Sequence, residues 1–201
     1  HMSDKSSFSS RILKKLFGSN NDKEPLVSGK LERSVAFQSE YERWKESSIL
    51  KSVLGDLQIA YNNSNAHGAY NPAFHVYNSK QANGFFFNTQ MRFTDEIYSY
   101  ILEYFKDRVL DLGYAIYTSD RKLSDKENGV QQVDRHYLKP ALTDTQPPID
   151  QKYGNVLIEL FTLNEEVQYL KVMVSVYSDR NYSVPKPFLE FIEFLFNPPT
   201  K

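Results

Sequence analysis

The chain contains no cysteine, which removes disulfide frameworks, thiol nucleophiles and cysteine-ligated zinc or iron–sulfur centres in one step. It also lacks a surplus of either charge. With 24 Lys and Arg against 25 Asp and Glu, no global field draws a polyanion, and nucleic acid is not expected as a partner. Glycine is sparse at 8 in 201 residues, and none of it forms a phosphate-binding loop or a dinucleotide fingerprint. No run approaches the roughly 18 apolar residues that cross a bilayer, and the amino terminus has no apolar signal region. His1 and Met2 read as a vector-derived residue before a native start, so a cytoplasmic protein is expected. A secreted form would make Asn62-Asn63-Ser64 and Asn181-Tyr182-Ser183 glycosylation sequons.

What the chain does have is aromatic bulk: 14 Tyr, 14 Phe and one Trp. Phe side chains favour a core, whereas a Tyr hydroxyl needs a partner when buried and suits a half-wet interface. A chain of 201 residues can build one core without metal or disulfide support.

The strongest pattern lies at Tyr153–Tyr177. Two runs rich in β-branched and aromatic residues flank the polar Asn164, Glu165 and Glu166, which predicts a central β-hairpin. In its second arm Leu170, Val172, Val174 and Val176 share one face, while Tyr169, Lys171, Met173, Ser175 and Tyr177 take the other. A second hairpin is expected from Gly113–Arg121 and Val130–Leu138, with Asn128-Gly129 supplying the positive φ its turn needs. Shorter strands are expected at Ala73–Tyr77 and Gly84–Phe93. In the latter, Phe85 and Phe87 face one way and Phe86 the other; the glycine and spaced rings resemble an RNA-stacking strand, but the basic residue before the glycine is missing.

Helices are expected at Ser39–Tyr61, opened by a Ser39/Glu42 capping box, and at Thr94–Leu112, capped by Thr94 and ended by Gly113. Gly55 weakens the first, and a close crossing is the reason expected for it. In the second, Asp111 sits at the unfavourable end and calls for a cation such as Arg108. A short carboxyl-terminal helix carries Phe188, Leu189, Phe191, Ile192, Leu195 and Phe196 nearly all round, so it is either sandwiched or left as a sticky patch. The class is therefore α+β: an antiparallel sheet of about four to six strands, packed by two long helices and a short carboxyl-terminal one, spanning residues 35–197 as a single domain. Residues 1–34 read as a flexible tail. Within it Ile12, Leu13, Leu16 and Phe17 line one side of a short basic amphipathic segment, 11–17.

Catalytic signals are faint. His67 and His75 lie in a loop-rich stretch without an HExxH spacing or a nearby carboxylate cluster. Asp134 and His136 share a strand face, where a carboxylate can orient an imidazole, but no nucleophile elbow accompanies them, and a solvated face is expected. His75, Asp134 and His136 are the candidate pocket residues; no catalytic residue, metal or cofactor is assigned.

The expected function is a non-catalytic protein–protein interaction module: an adaptor, a chaperone-like factor or a component of a larger assembly. A protein partner or self-association is expected through Leu16, Phe17, Tyr169, Met173, Tyr177, Phe188 and Phe191. One alternative is a small-molecule-binding domain or enzyme with a Tyr- and His-lined pocket. The other is a peripheral membrane protein whose segment 11–17 contacts a membrane surface.

Overall fold

The computed structural model describes residues 25–79, 81–141, 154–175 and 185–199. Among them are seven strands, in the order β1-β4-β5-β6-β7-β3-β2, all pairs antiparallel. They are β1 (Pro25–Lys30), β2 (Phe74–Asn78), β3 (Ala82–Asn88), β4 (Tyr114–Lys126), β5 (Gly129–Pro140), β6 (Val156–Leu163) and β7 (Val167–Ser175). The α-helices are α1 (Val35–Glu46), α2 (Ser48–Asn62), α3 (Asp95–Asp111) and α4 (Lys186–Phe196). The α+β class stands, with more strands than expected. The addition is β1, which lies in the stretch read as a tail and pairs with β4. No helix among the described residues is long and apolar enough to cross a membrane.

Register explains how the helix-bearing face is divided. One row of paired residues reads Ser119, His136, Ile158, Val172, Phe85, Val76 across β4, β5, β6, β7, β3 and β2. Its neighbour reads Arg121, Asp134, Leu160, Leu170, Phe87, Phe74. Each row changes from polar to apolar between β5 and β6, so the greasy part of the sheet lies under the helices and a polar part is left at β4 and β5. Helix α3 lies across the sheet against β4 to β7, while α2 and α4 pack together and α2 reaches β2. Ile101, Phe105 and Val109 of α3 are buried in that core, as their spacing foretells. Thr94 caps the helix by accepting from the Ile97 N–H, and Arg108 meets Asp111 at 3.0 Å.

Local chemistry departs from expectation at three places. The first long helix is two. Ser34, not Ser39, caps α1 through the Phe37 N–H at 3.0 Å, and the chain becomes extended at Ser47. There the Ser47 N–H and hydroxyl both turn back onto the Trp44 carbonyl, at 3.1 and 2.7 Å, so a side-chain donor competes with helix continuation. Gly55 faces open space, which overturns the close-crossing explanation. Gly84, expected to open a strand running to Phe93, sits inside β3, which ends at Asn88, and lies opposite Tyr77. A Cβ at Gly84 would lie 2.1 Å from the Tyr77 hydroxyl, so the glycine makes room for a ring that shields it.

The two hairpin turns are joined by one side chain. Asn164, with φ of 53°, accepts from the Val130 N–H at 3.0 Å and donates to the Asn128 carbonyl at 2.9 Å. Its amide occupies the space a Cβ on Gly129 would fill, and Gly129 itself has a φ of 135°.

Candidate functional site

The residues singled out for partners divide sharply. Leu16, Phe17 and Tyr177 lie outside the described residues. Phe188 and Phe191 are buried in the main core with Ile192, Leu195 and Phe196, so they are corrected from contact residues to packing residues. The reason is that α4 is enclosed by α2 and α3, which covers a helix apolar on most sides.

Tyr169 and Met173 do face away from the helices. Tyr169 is 8% exposed and stacks on Phe161 with centroids 4.6 Å apart; Phe86 and Tyr77 complete that small second cluster. Beside it runs a ladder of alternating charge, Lys30, Asp120, Arg135, Glu159, Lys171, one residue from each of β1, β4, β5, β6 and β7. Arg135 donates twice to Asp120, at 2.6 and 2.9 Å. Burial pushes the Glu159 carboxyl up and the Lys171 ammonium down, each opposed by the other's charge. Opposite signs at directly paired positions stabilise one register over a slipped one.

The candidate pocket residues do not converge. His75 is on β2 and faces the second cluster, its ring 5.5 Å from Phe86. His136 is on β5 and faces the helices, four strands away, or about 19 Å at the usual strand spacing. Burial holds the His75 imidazole below its ordinary pKa, but no second imidazole joins it. His67 is exposed and sits edge-on to Tyr61, 4.8 Å away. Among the described residues, no group of three or more His, Asp or Glu is placed to hold a metal.

Asp134 and His136 do come together, and their face is buried rather than solvated. Helix α3 supplies what the sequence spacing could not reveal: Glu103, one of its buried residues. His136 Nε2 lies 2.8 Å from a Glu103 oxygen and Nδ1 lies 2.6 Å from the Ser119 hydroxyl. Nε2–H donates to Glu103. Lys106 holds the other Glu103 oxygen at 2.9 Å. Arg33, from the segment after β1, stands 3.6 Å from Glu103 and 3.7 Å from Asp134. Arg121 binds Asp134 with both ends of its fork, at 2.6 and 2.9 Å. Burial would push the Glu103 carboxyl up, but the hydrogen bond and charge of His136, then Lys106, outweigh it and hold it at about 2.

Ser119, His136 and Glu103 thus have the order of a nucleophile, base and carboxylate. The side chains of His136 and Glu103 are 5% and 3% exposed, Ser119 is half-buried, and both Glu103 oxygens are committed. The set ties α3 to β4 and β5, and through Arg33 it ties down the start of α1. A buried network of this kind specifies a geometry more than it adds net stability.

The surface that sequence reasoning missed is an edge. Strand β4 pairs with β5 along its whole length, but β1 covers it only from Asp120 to Ser124, with one more bond from the Leu31 N–H to the Ser119 carbonyl. Ala115 to Thr118 therefore have no strand on their outer side among the described residues. Here the chain bulges, because Ile116 pairs with Leu138 and Thr118 with Tyr137, leaving Tyr117 as the extra residue. Ile116 is 44% and Tyr117 62% exposed. The Tyr117 ring meets Tyr137 edge-on at 5.5 Å, and the Lys139 ammonium lies 3.8 Å from its centroid. A run of four exposed residues in a strand is the only signal that marks this place, and exposure cannot be read from the sequence.

With fold and site in view, the chain is an α+β protein whose helices cover one face of an open sheet. No family model matches it, nor does any curated protein or solved structure.

Proposed function

We propose that this protein is a non-catalytic interaction module that receives a partner protein at the unpaired end of β4. The observation that carries the reading is the exposure of Ile116 and Tyr117 on a strand edge whose backbone groups at Ala115–Thr118 have no partner strand among the described residues. Such an edge is a template for another chain, and proteins normally cover it, shorten it or charge it. Addition of a strand supplies backbone hydrogen bonds for affinity and side-chain contacts for choice of partner.

The test is a photo-crosslinking amino acid placed at position 117, and separately at Ile59 on the exposed side of α2, in the full chain within its native cells. A discrete protein adduct from position 117 and none from position 59 supports the module. Equal or absent adducts at the two positions would reject it.

A further inference from the structure

Resting on that reading, we infer that the partner segment is an extended strand in which aliphatic and acidic side chains alternate, added to β4 alongside Ala115–Thr118 and in line with β1. Alternation follows from strand geometry, because successive side chains of an added strand point to opposite faces of the sheet, and at this edge the two faces differ. On the helix-bearing face the edge offers Ile116, whose cross-strand neighbour is the fully buried Leu138. An aliphatic side chain on that side extends an apolar row. On the other face it offers the bulged Tyr117 and Thr118 beside Tyr137, with the Lys139 ammonium 3.8 Å from the Tyr117 centroid and 5.7 Å from that of Tyr137.

Charge selects the second kind of side chain. Asp120 is held by both arms of Arg135, and Arg33 is engaged with Glu103 and Asp134, so neither is free to set the local sign. What remains is Lys30, exposed at the last position of β1, and Lys139, which has no carboxylate within ion-pair distance among the described residues, against the exposed Glu32. The balance is positive. A carboxylate arriving on that face meets Lys139 across a surface of rings that shed water, where an ion pair is screened less than in open solvent. The same two lysines oppose a second copy of this chain, since edge-to-edge docking would set like charges against each other. The bulge at Tyr117 twists the edge out of flat pairing, which limits the added strand to a short stretch and also works against open-ended self-addition.

Two peptides test this on the ¹⁵N-labelled full chain: acetyl-Thr-Glu-Val-Glu-Val-Glu-Thr-amide and its counterpart with Lys in place of Glu. The acidic peptide is expected to shift the Ala115–Thr118 amides, to slow their hydrogen exchange and to bind at least tenfold more tightly than the basic one. Lys139→Glu, which reverses the charge beside the Tyr117 and Tyr137 rings, is expected to abolish or invert that preference. Equal binding of the two peptides at this edge, or a preference unchanged by Lys139→Glu, would overturn the acidic chemistry while leaving the edge as a docking place. Absence of shifts at 115–118 with either peptide would overturn strand addition here. Neither result bears on the crosslink from position 117, which decides separately whether a partner protein docks at all.

Discussion

The two ends of the sheet meet the same physical problem with opposite outcomes. At the β2 end, the outer backbone is occupied by a side chain. Asn65, in a short 3-10 turn, accepts from the Val76 N–H at 2.8 Å and donates to the Val76 carbonyl at 2.5 Å, so one amide imitates the strand that is missing. At the other end, β1 covers β4 from Asp120 to Ser124 and then turns away into α1, leaving Ala115–Thr118 with no outer strand among the described residues. An unpaired strand edge invites addition, and among the described residues one edge is capped at Val76 while four residues stay open at the other.

The largest expected change comes from removing what holds the open end in shape. Glu103→Ala leaves His136, Lys106 and Arg33 without their shared carboxylate and is expected to cost about 3–5 kcal/mol, the range for breaking a buried charge network. Urea denaturation measures it, and exchange of the Ser119 and His136 amides shows whether β4 and β5 loosen first. The same carboxyl gives an acid dependence. Its folded pKa, about 2, lies below its ordinary 4.5. Its contribution is thus present above pH 4.5 and is lost as the pH falls toward 2. An acid titration of wild type should show that loss, and the Glu103→Gln variant should show less of it.

Next in size is the sealed edge. Asn65→Ala removes both bonds to Val76 and leaves its backbone without that cover, with an expected cost of about 1–3 kcal/mol and faster exchange at Val76. The comparison sharpens if the variant also begins to self-associate in sedimentation, because β2, unlike β4, has no bulge to twist it. A helical control touches neither edge: Gly55→Ala, in α2 with nothing within 4 Å of the added methyl, should stabilise by about 0.5–1 kcal/mol, read as a raised Tm. The smallest change in stability is expected at the open edge itself. Ile116→Lys should stay within about 0.5 kcal/mol of wild type, as exposed positions do, yet it removes the apolar contact offered on the helix-bearing face and should abolish the position-117 crosslink.

Much of the fold is legible in residue pattern because the pattern obeys local rules. The period-two run at Leu170, Val172 and Val174 and the helical stripe at Ile101, Phe105 and Val109 each report which side is buried, without reference to the rest of the chain. Thr94 as a cap, Gly129 as a positive-φ residue beside the turn and the Phe85/Phe87 against Phe86 division are readable for the same reason. The break at Ser47 was less so, since a serine that ends a helix differs from one that tolerates it only in where its hydroxyl points. Glycine misled at Gly55, which has no close neighbour, whereas the close neighbour of Gly84 exists only because Tyr77 lies across a strand pair.

The candidate site divides in the same way. Asp134 and His136 were visible as two polar residues on one strand face, a fact of spacing. Whether that face met water or a helix depended on Glu103, some thirty positions earlier in the chain, and no period connects a carboxylate on α3 with an imidazole on β5. The open edge is more remote still from sequence, because it consists of a missing neighbour: Ala115–Thr118 pattern like any strand, and only the point at which β1 leaves β4 makes them accessible. What the chain alone settled was its class and its hydrophobic faces, since composition and periodicity are local sums. Strand order, the buried ion cluster and the exposed edge were decided by tertiary contact, since each is a relation between segments that sequence spacing does not encode.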